Sequence, residues 1–457
     1  LIAVYNTFQY RASIRELGKV FGLPKYEIDL ISKGASTQKK SFDKLSKLVI
    51  NYAKRLEGFP NYLGILAGGI VISERPINYY TATFMSQKGY ATTHFDMMTA
   101  EDIGLYKFDI LSQRGLGKIK DAISIIAKNH PNVSRIDIHD VKRFKSDKKI
   151  KKLLQIGKVI GCFYVESPAM RMLLKKLQVN NYLGLVAASS IIRPGVARSG
   201  MMQEYILRSR FPERMKKAHP IMLEIMPETF GIMVYQEDVI KVAHYYGKLD
   251  LGEADVLRRG MSGKYRGRSE FIAVKEKFFT NCIREKYPIE EVNEVWRQIE
   301  SFAGYAFAKG HSASYAVESY QSLFLKAYYP LEYLVATLNN FGGFYQTELY
   351  VHEARMHGAI ISPPCVNTGE LETSISGKHI ILGFILTKSI EINTIKKIIT
   401  CRSKEGAFKS LSDFIKRVSL SMEQLTLLIK IEAFRFTKKN PYELLWESHM
   451  ETNKINQ

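Results

Sequence analysis

Cysteine is scarce in this sequence, and the few cysteines are far apart. The chain of 457 residues contains four of them, with no Cys-x-x-Cys pair and no histidine nearby at metal-ligand spacing. The composition therefore predicts neither a zinc site nor a disulfide framework, and it favours the reducing cytoplasm as the location. The four positions are Cys162, Cys282, Cys365 and Cys401.

Long hydrophobic runs and a leader peptide are also missing. No stretch approaches the roughly 20 consecutive apolar residues of a membrane span. The opening residues 1–5 carry no charged leader and no initiator methionine. We therefore expect neither a membrane protein nor an exported one, and we expect the chain to begin inside a longer protein. The hydrophobic content of 46% is ordinary for a globular protein, and the length allows two or three domains.

Acidic residues are outnumbered by basic ones. The 66 lysines and arginines stand against 45 aspartates and glutamates, which gives a net charge of +21. Such a balance favours a polyanionic partner, nucleic acid or an anionic membrane surface. One block alone is most often a solvated helix face, but basic residues on several elements predict a surface that follows a phosphate backbone and binds less tightly in salt. The two dense blocks are residues 36–55, with Lys39, Lys40, Lys44, Lys47, Lys54 and Arg55, and residues 142–152, with seven lysines and arginines around Asp147.

Hydrophobic periodicity predicts an α+β fold that is mostly helical. Helices are expected over 10–22 and 40–57, and short strands over 67–73, 92–95 and 105–111. From about residue 115 onward the helical period dominates. A helix is expected after His311, ending before Pro330.

The strand over residues 105–112 is the most informative segment. Because successive side chains on a strand point to opposite faces, Tyr106, Phe108 and Ile110 share one apolar face, while Lys107 and Asp109 share the other. A carboxylate beside a lysine at a strand end can hold a hard cation next to a phosphate. Without further context, a surface pair on a half-buried strand is the more common explanation.

Four other segments carry unusual combinations of residues. Each has an ordinary explanation: Arg258 and Arg259 suit a solvated helix C-terminus, Arg193 could pin a loop, and His311 beside Lys309 could be a structural histidine. The segments are 161–171 (GCFYVESPAMR), 189–200 (SSIIRPGVARSG), 229–238 with 254–264 (TFGIMVYQED and ADVLRRGMSGK), and 302–315 (FAGYAFAKGHSASY).

In their joint order these segments resemble the alpha subunit of bacterial DNA polymerase III, the C-family replicative polymerases. The resemblance runs from about Val4 to Arg435. It implies an α+β, mostly helical fragment with part of a nucleotidyltransferase-type palm, a helical thumb and large helical fingers. The implied domains are residues 1–64 (palm remnant and thumb, with the thumb from 23), 65–114 (palm strands), 115–345 (fingers), and 346–457 (distal fingers with a helix-hairpin-helix-like region).

The resemblance also implies roles for individual residues. Asp109 matches the third of three palm aspartates that bind two Mg²⁺ ions, which makes it the expected catalytic residue and metal ligand. The expected nucleotide-binding residues are Lys107, Arg258, Arg259, Lys309 and His311. The expected DNA-binding residues are Lys39, Lys40, Lys44, Lys47 and Arg193. The implied partners are primer-template DNA, deoxynucleoside triphosphates and other replisome subunits, including a sliding clamp bound through regions outside this sequence, with no membrane partner.

Several positions depart from the family pattern. Leu66 stands where histidine is expected, Glu432 where glycine precedes Ala-Phe, and Gly260 where alanine is usual. Ala306, Ala308 and Gly310 replace a glycine, an asparagine and a small polar residue around Lys309. The family's other two catalytic aspartates lie ahead of Leu1, so we expect these 457 residues alone to be inactive, because one carboxylate cannot build a two-metal site.

Three functions follow as alternatives. The first is template-directed DNA synthesis by the protein to which the chain belongs. The second is a non-catalytic or split DNA-binding relative, which would keep the basic fold but lack the upstream carboxylates. The third is a basic scaffold on membrane surfaces that uses its charge without nucleotides.

Overall fold

The chain folds into two compact units, residues 1–113 and 114–457. The computed structural model describes residues 1–33, 43–111, 113–192, 200–260, 268–301 and 308–455. Helices dominate and the sheets are small, so the predicted α+β, mostly helical class is confirmed. No helix within these described ranges is both long and apolar enough to cross a membrane.

In its described residues, the first unit combines short strands with four α-helices. Its apolar centre lies between the first three helices, where Ile14, Ile31, Val49 and Ala53 are buried. The strands are β1 (Ala3–Thr7), β2 (Pro60–Ile65), β3 (Gly69–Ile72), β4 (Thr83–Met85), β5 (Ala91–Thr93) and β6 (Tyr106–Asp109), and the helices are α1 (Tyr10–Val20), α2 (Lys25–Ser32), α3 (Lys44–Leu56) and α4 (Met97–Asp102).

The strands of this unit pair in twos, and every pair is antiparallel. β1 pairs with β2, β3 with β6, and β4 with β5. In β6 the predicted alternation is present, but Tyr106 and Phe108 are 77% and 46% exposed. This apolar face of β6 is therefore exposed rather than half-buried. Among the described residues β6 is hydrogen-bonded to β3 alone, and a two-stranded ribbon covers little of either face.

The second unit is a helical assembly with one small sheet. Its strands β7 (Ile360–Ser362), β8 (Ser374–Ser376) and β9 (His379–Ile381) form a mixed sheet in the order β7-β9-β8. Its helices are α5 (Gln113–Asn129), α6 (Val141–Ser146), α7 (Lys148–Ile156), α8 (Pro168–Leu177), α9 (Tyr182–Ile191), α10 (Met201–Arg210), α11 (Pro220–Ile225), α12 (Gln236–Lys241), α13 (Leu251–Gly260), α14 (Arg268–Arg284), α15 (Ile289–Ser301), α16 (Lys309–Tyr328), α17 (Pro330–Asn339), α18 (Thr347–Met356), α19 (Ile392–Glu405), α20 (Leu411–Arg417), α21 (Met422–Lys430) and α22 (Pro441–Ile455).

Three apolar clusters of described residues organise this unit. The largest surrounds α16, where Tyr320, Leu323 and Leu325 are fully buried among side chains from α5 to α17. A second lies at the C-terminal end, between α19 and α22, and includes Phe414 and Leu428, and a third includes Leu334 and Tyr350. The central position of α16 matters for function, because its first turn carries two of the predicted nucleotide-binding residues.

Local sequence sets the helix starts. Asp43, Asp147 and Asn181 stand just before α3, α7 and α9, and each side chain accepts a hydrogen bond from a backbone N–H of the first turn. Ser167 does the same for α8, with Pro168 at the first helical position. The predicted helices over 10–22 and 40–57 are thus found as α1 and α3, with α3 starting at its Asp43 cap.

Candidate active site

Lys107 and Asp109 form an ion pair on β6. The Lys107 Nζ lies 2.5 Å from Asp109 Oδ2, and the aspartate side chain is 45% exposed while the lysine side chain is 17% exposed. The two residues face the same side because they are two apart on a strand. The predicted juxtaposition of a cation and an open carboxylate is therefore present.

Gly68, just before β3, and Gly69, its first residue, lie where the chain packs closely beside the Asp109 strand. Gly69 pairs with Asp109 across the ribbon. Gly68 has a φ of +75°, and a Cβ there would lie 2.8 Å from the Ile110 carbonyl oxygen. A Cβ on Gly69 would lie 2.8 Å from Cδ2 of Leu66, so the leucine that replaces the expected histidine packs over the cross-strand neighbour of Asp109.

A divalent ion would need oxygen ligands in addition to Asp109. Within the described part of the chain, no group of three His, Cys, Asp or Glu residues is placed to hold a metal ion. The carboxylate of Asp109 is already paired with the Lys107 ammonium. These residues alone therefore do not fit a two-metal centre.

Arg258 and Arg259 are bridged by one carboxylate on the same helix. Asp255 Oδ1 lies 2.7 Å from Nε of Arg258, and Asp255 Oδ2 lies 2.9 Å from Nε of Arg259. The hydrogen bond from Arg258 lowers the pKa of Asp255. The carboxylate offsets the repulsion between two adjacent guanidinium groups and holds both on α13, at its C-terminal end.

Lys309 opens α16 and is held at both its backbone and its side chain. Its N–H donates to Glu237 at 3.1 Å from Oε1 and 3.0 Å from Oε2. Its ammonium group forms an ion pair with Glu228 and lies 5.4 Å from the centre of the Tyr235 ring. Residues of the predicted segment 229–238 therefore contact Lys309 of the predicted segment 302–315 directly.

His311 belongs to an aromatic cluster. Its ring centre lies 4.3 Å from that of Tyr315, and Tyr315 in turn meets Phe163 and Tyr164 edge-on at 5.3 and 5.1 Å. Tyr164 has a φ of +66°, a left-handed conformation that is rare for a tyrosine. The first turn of α16 and the 161–171 segment are thus packed together.

Helix α12 connects the two groups of basic residues. It packs against α13, which carries Arg258 and Arg259, and its residue Glu237 binds the start of α16. The chain continues from α12 into a π-helical turn at 242–246, a feature often found at functional sites. Helix α12 is therefore the shared neighbour of α13 and α16, the two helices that carry Arg258, Arg259, Lys309 and His311.

The glutamate of the 161–171 segment is structural. Glu166 is buried and accepts hydrogen bonds from the N–H groups of Gly161 and Phe344 and from the Tyr350 hydroxyl, at 2.8, 2.9 and 3.0 Å. A Cβ on Gly343 would lie 2.0 Å from Glu166 Oε1. The Glu166 carboxylate therefore connects the 161–171 segment to the loop before α18.

The predicted thumb lysines divide into two groups. Lys44 and Lys47 are exposed on α3, together with Lys54 and Arg55. Lys39, Lys40 and Arg193 lie outside the described residues, as does Ala306. The exposed basic face of α3 is available to a polyanion.

Sequence reasoning missed the carboxylates that hold the basic residues. Asp255 was detectable, because the i,i+3 and i,i+4 spacing to Arg258 and Arg259 predicts ion pairs on a helix. Glu228 and Glu237 had no such signal, since Lys309 lies 81 and 72 residues further along the chain.

Models of known protein families match three parts of this chain. The family model of the bacterial DNA polymerase III alpha NTPase domain matches residues 1–112. The model of the alpha subunit finger domain matches residues 115–286, and a helix-hairpin-helix motif matches residues 358–444. The chain belongs to the bacterial DNA polymerase III alpha-subunit family. The family predicted from the sequence is confirmed.

Curated relatives extend over almost the whole chain. A DNA polymerase III subunit alpha from Aquifex aeolicus is 31% identical over 442 residues, which cover 95% of this chain and 37% of the relative. The corresponding subunit from Bacillus subtilis is 30% identical and covers 94% of this chain and 40% of its own length. A protein named error-prone DNA polymerase, from Symbiobacterium thermophilum, is 28% identical over 100% of this chain and 45% of the relative. The chain thus spans less than half the length of these relatives.

Proposed function

We propose that this chain supplies nucleotide-binding and DNA-binding surfaces for template-directed DNA synthesis. In that reaction the primer 3′-hydroxyl attacks the α-phosphorus of a deoxynucleoside triphosphate, a new P–O bond forms, and pyrophosphate leaves. The observation that carries the proposal is the linked set of basic residues on α13 and α16, joined through α12.

The basic side chains suit the phosphates of the incoming nucleotide. The guanidinium groups of Arg258 and Arg259 offer planar donors that match phosphate oxygens, and Lys309 adds a compact positive charge. His311 and its aromatic neighbours offer a surface for the nucleotide or the template base. Arg258, Arg259 and Lys309 are each paired with a carboxylate, which a triphosphate would replace as the anionic partner.

Asp109 and Lys107 are proposed to act in the palm. Asp109 would be one oxygen ligand of Mg²⁺, with the remaining ligands supplied from outside the described residues, and Lys107 would contact the triphosphate. Lys44 and Lys47 of the thumb, with Lys39, Lys40 and Arg193, would contact the DNA backbone. The proposed domains are those expected from the sequence, with residues 346–457 as distal fingers and helix-hairpin-helix region.

The proposed setting is the bacterial cytoplasm, with primer-template DNA, deoxynucleoside triphosphates and other replisome subunits, such as a sliding clamp, as partners. Relatives named DNA polymerase III subunit alpha and error-prone DNA polymerase both match this chain.

Primer extension by the complete gene product tests the proposal. We expect template-dependent extension of a DNA primer that requires a divalent cation, and weaker primer-template binding as salt rises. DNA binding without extension in any divalent cation would instead support a non-catalytic relative. Preference for anionic vesicles over primer-template would reject both the polymerase and the non-catalytic DNA-binding relative.

A further inference from the structure

Helix α16 begins without a cap of its own. The residue before it, Ala308, has φ −59° and ψ 143°, and its methyl group accepts no hydrogen bond. The first turn also contains no acidic residue. The first N–H groups of a helix have no intrahelical partner and form its positive end, so a 20-residue helix at the centre of the core needs a partner for its start from elsewhere.

Glu237 is that partner. Both of its carboxylate oxygens lie within hydrogen-bond distance of the Lys309 N–H, at 3.1 and 3.0 Å. A carboxylate in this place satisfies a backbone donor and complements the helix dipole. Glu237 therefore does for α16 what a side-chain cap does for α3, α7 and α9.

The segment that carries Glu237 is itself fixed. Its neighbour Asp238 is buried and accepts hydrogen bonds from the N–H groups of Val234 and Tyr235, both at 2.8 Å. The Tyr235 ring lies beneath the Lys309 ammonium, which also pairs with Glu228. Residues 228–238 therefore bind Lys309 through both its backbone N–H and its side-chain ammonium group.

A change at this cap would move two candidate nucleotide contacts together. Lys309 is the first residue of α16, and His311 lies in the same turn, with its ring against Tyr315. Unwinding of this turn displaces both side chains while the rest of the helix stays packed in the core.

We propose that Glu237 is a positioning residue, which caps α16 from another helix and thereby sets the affinity of the site for the incoming nucleotide. This inference rests on the proposed function of Lys309. Glu237 touches neither substrate nor reacting atoms in this scheme, and it acts only through the first turn of α16.

The test compares four variants of the complete gene product with the wild type: Glu237→Ala, Glu237→Gln, Ala308→Asn, and the double variant Glu237→Ala/Ala308→Asn. The main readout is the dissociation constant of a deoxynucleoside triphosphate for the complex with a dideoxy-terminated primer-template, which requires no turnover. Primer-template affinity and thermal stability are measured in parallel.

We expect Glu237→Ala to weaken nucleotide binding by roughly 3- to 30-fold, the range that corresponds to loss of a helix cap, without a change in primer-template affinity. Glu237→Gln should lose less nucleotide affinity than Glu237→Ala, because the amide oxygen of glutamine still accepts a hydrogen bond. In the double variant, Ala308→Asn supplies a side-chain acceptor at the position that ordinarily caps a helix, so it should restore at least half of the lost binding on a logarithmic scale.

Asn181→Ala is the matched control. Asn181 caps α9 through the Gly184 N–H at 2.8 Å, so its loss should lower thermal stability similarly and leave nucleotide affinity unchanged. Unchanged nucleotide affinity in Glu237→Ala, or a double variant as weak as Glu237→Ala, overturns the positioning role. Lys309→Ala separates the proposed function of Lys309 from the positioning role of Glu237. If Lys309→Ala also binds nucleotide normally, the proposed function of Lys309 fails. If Lys309→Ala binds nucleotide weakly while Glu237→Ala binds it normally, only the positioning role of Glu237 fails.

Discussion

The Nζ of Lys107 and the Oδ2 of Asp109 are 2.5 Å apart on one face of β6. Each group neutralises the charge of the other. An exposed ion pair of this kind contributes little stability, about 0–1 kcal/mol, so its members can exchange partners readily.

Asp109→Asn should abolish primer extension by the complete gene product while primer-template binding is retained. The amide removes the negative charge that a divalent cation needs, whereas the basic surface of the thumb and fingers is unchanged. Extension and DNA affinity are measured on the same preparations. Glu74→Gln, an exposed carboxylate of the same unit, is the control and should extend primers normally. Normal extension by Asp109→Asn would remove this residue from catalysis.

Gly260→Ala should destabilise the protein although alanine favours helices. A Cβ at the end of α13 would lie 2.3 Å from Cδ2 of Phe271, so the ring must move from its packing against Trp296. Gly252→Ala on the same helix is the matched control, because a Cβ there meets only Asp250 Oδ1, at 3.2 Å. We expect Gly260→Ala to lower the unfolding temperature, and Gly252→Ala, in the first turn of the helix, to change it less. Equal effects of the two variants would show that Phe271 does not constrain this position.

Glu432→Gly should stabilise the C-terminal core. Glu432 has a φ of +58°, and the left-handed conformation costs a residue with a side chain about 1–2 kcal/mol. Glycine avoids this strain but loses more chain entropy on folding, so a net gain of about 0.5–1 kcal/mol is expected. Lys397→Gly, at an exposed position inside α19, should destabilise by a similar amount. Thermal unfolding that ranks Glu432→Gly below the wild type would contradict this account.

Glu318 makes the stability of the second unit depend on pH. Burial raises its pKa to about 7 from the usual 4.5, although the nearby Lys118 ammonium opposes the shift. Its Oε1 is buried without a hydrogen-bond partner among the described residues. Because the folded pKa is the higher one, the protonated form is the one that the fold favours. Its stabilisation is complete below about pH 4.5 and is lost as the pH rises through about 7.

Glu318→Gln should therefore flatten the pH profile of unfolding between about pH 5 and 8, and at pH 8 it should be more stable than the wild type. Burial lowers the pKa of Lys118, the cation that faces Glu318, so Lys118→Met is measured alongside to separate its contribution. Parallel profiles for the wild type and Glu318→Gln would assign the pH dependence to other groups.

The sequence predicted the elements whose signals are local. The 10–22 and 40–57 helices and the alternation around Asp109 follow from periodicity, and the family follows from the order of its motifs. The exposure of Tyr106 did not follow, because burial of a strand face depends on what covers it. The roles of Glu228 and Glu237 did not follow either, because a contact across 81 or 72 residues leaves no spacing pattern in a single sequence.

The most direct test of the central claim is the affinity of the site for a deoxynucleoside triphosphate. The dissociation constant is measured on the complete gene product, bound to a dideoxy-terminated primer-template, for the wild type, Arg258→Ala and Arg284→Ala. Arg284 is an exposed arginine in the last turn of α14 and serves as the charge-matched control. Loss of a charge-assisted contact to phosphate is expected to weaken binding of the Arg258 variant about tenfold or more, with the Arg284 variant unchanged. Equal affinities for all three proteins would contradict the assignment of this surface to the incoming nucleotide.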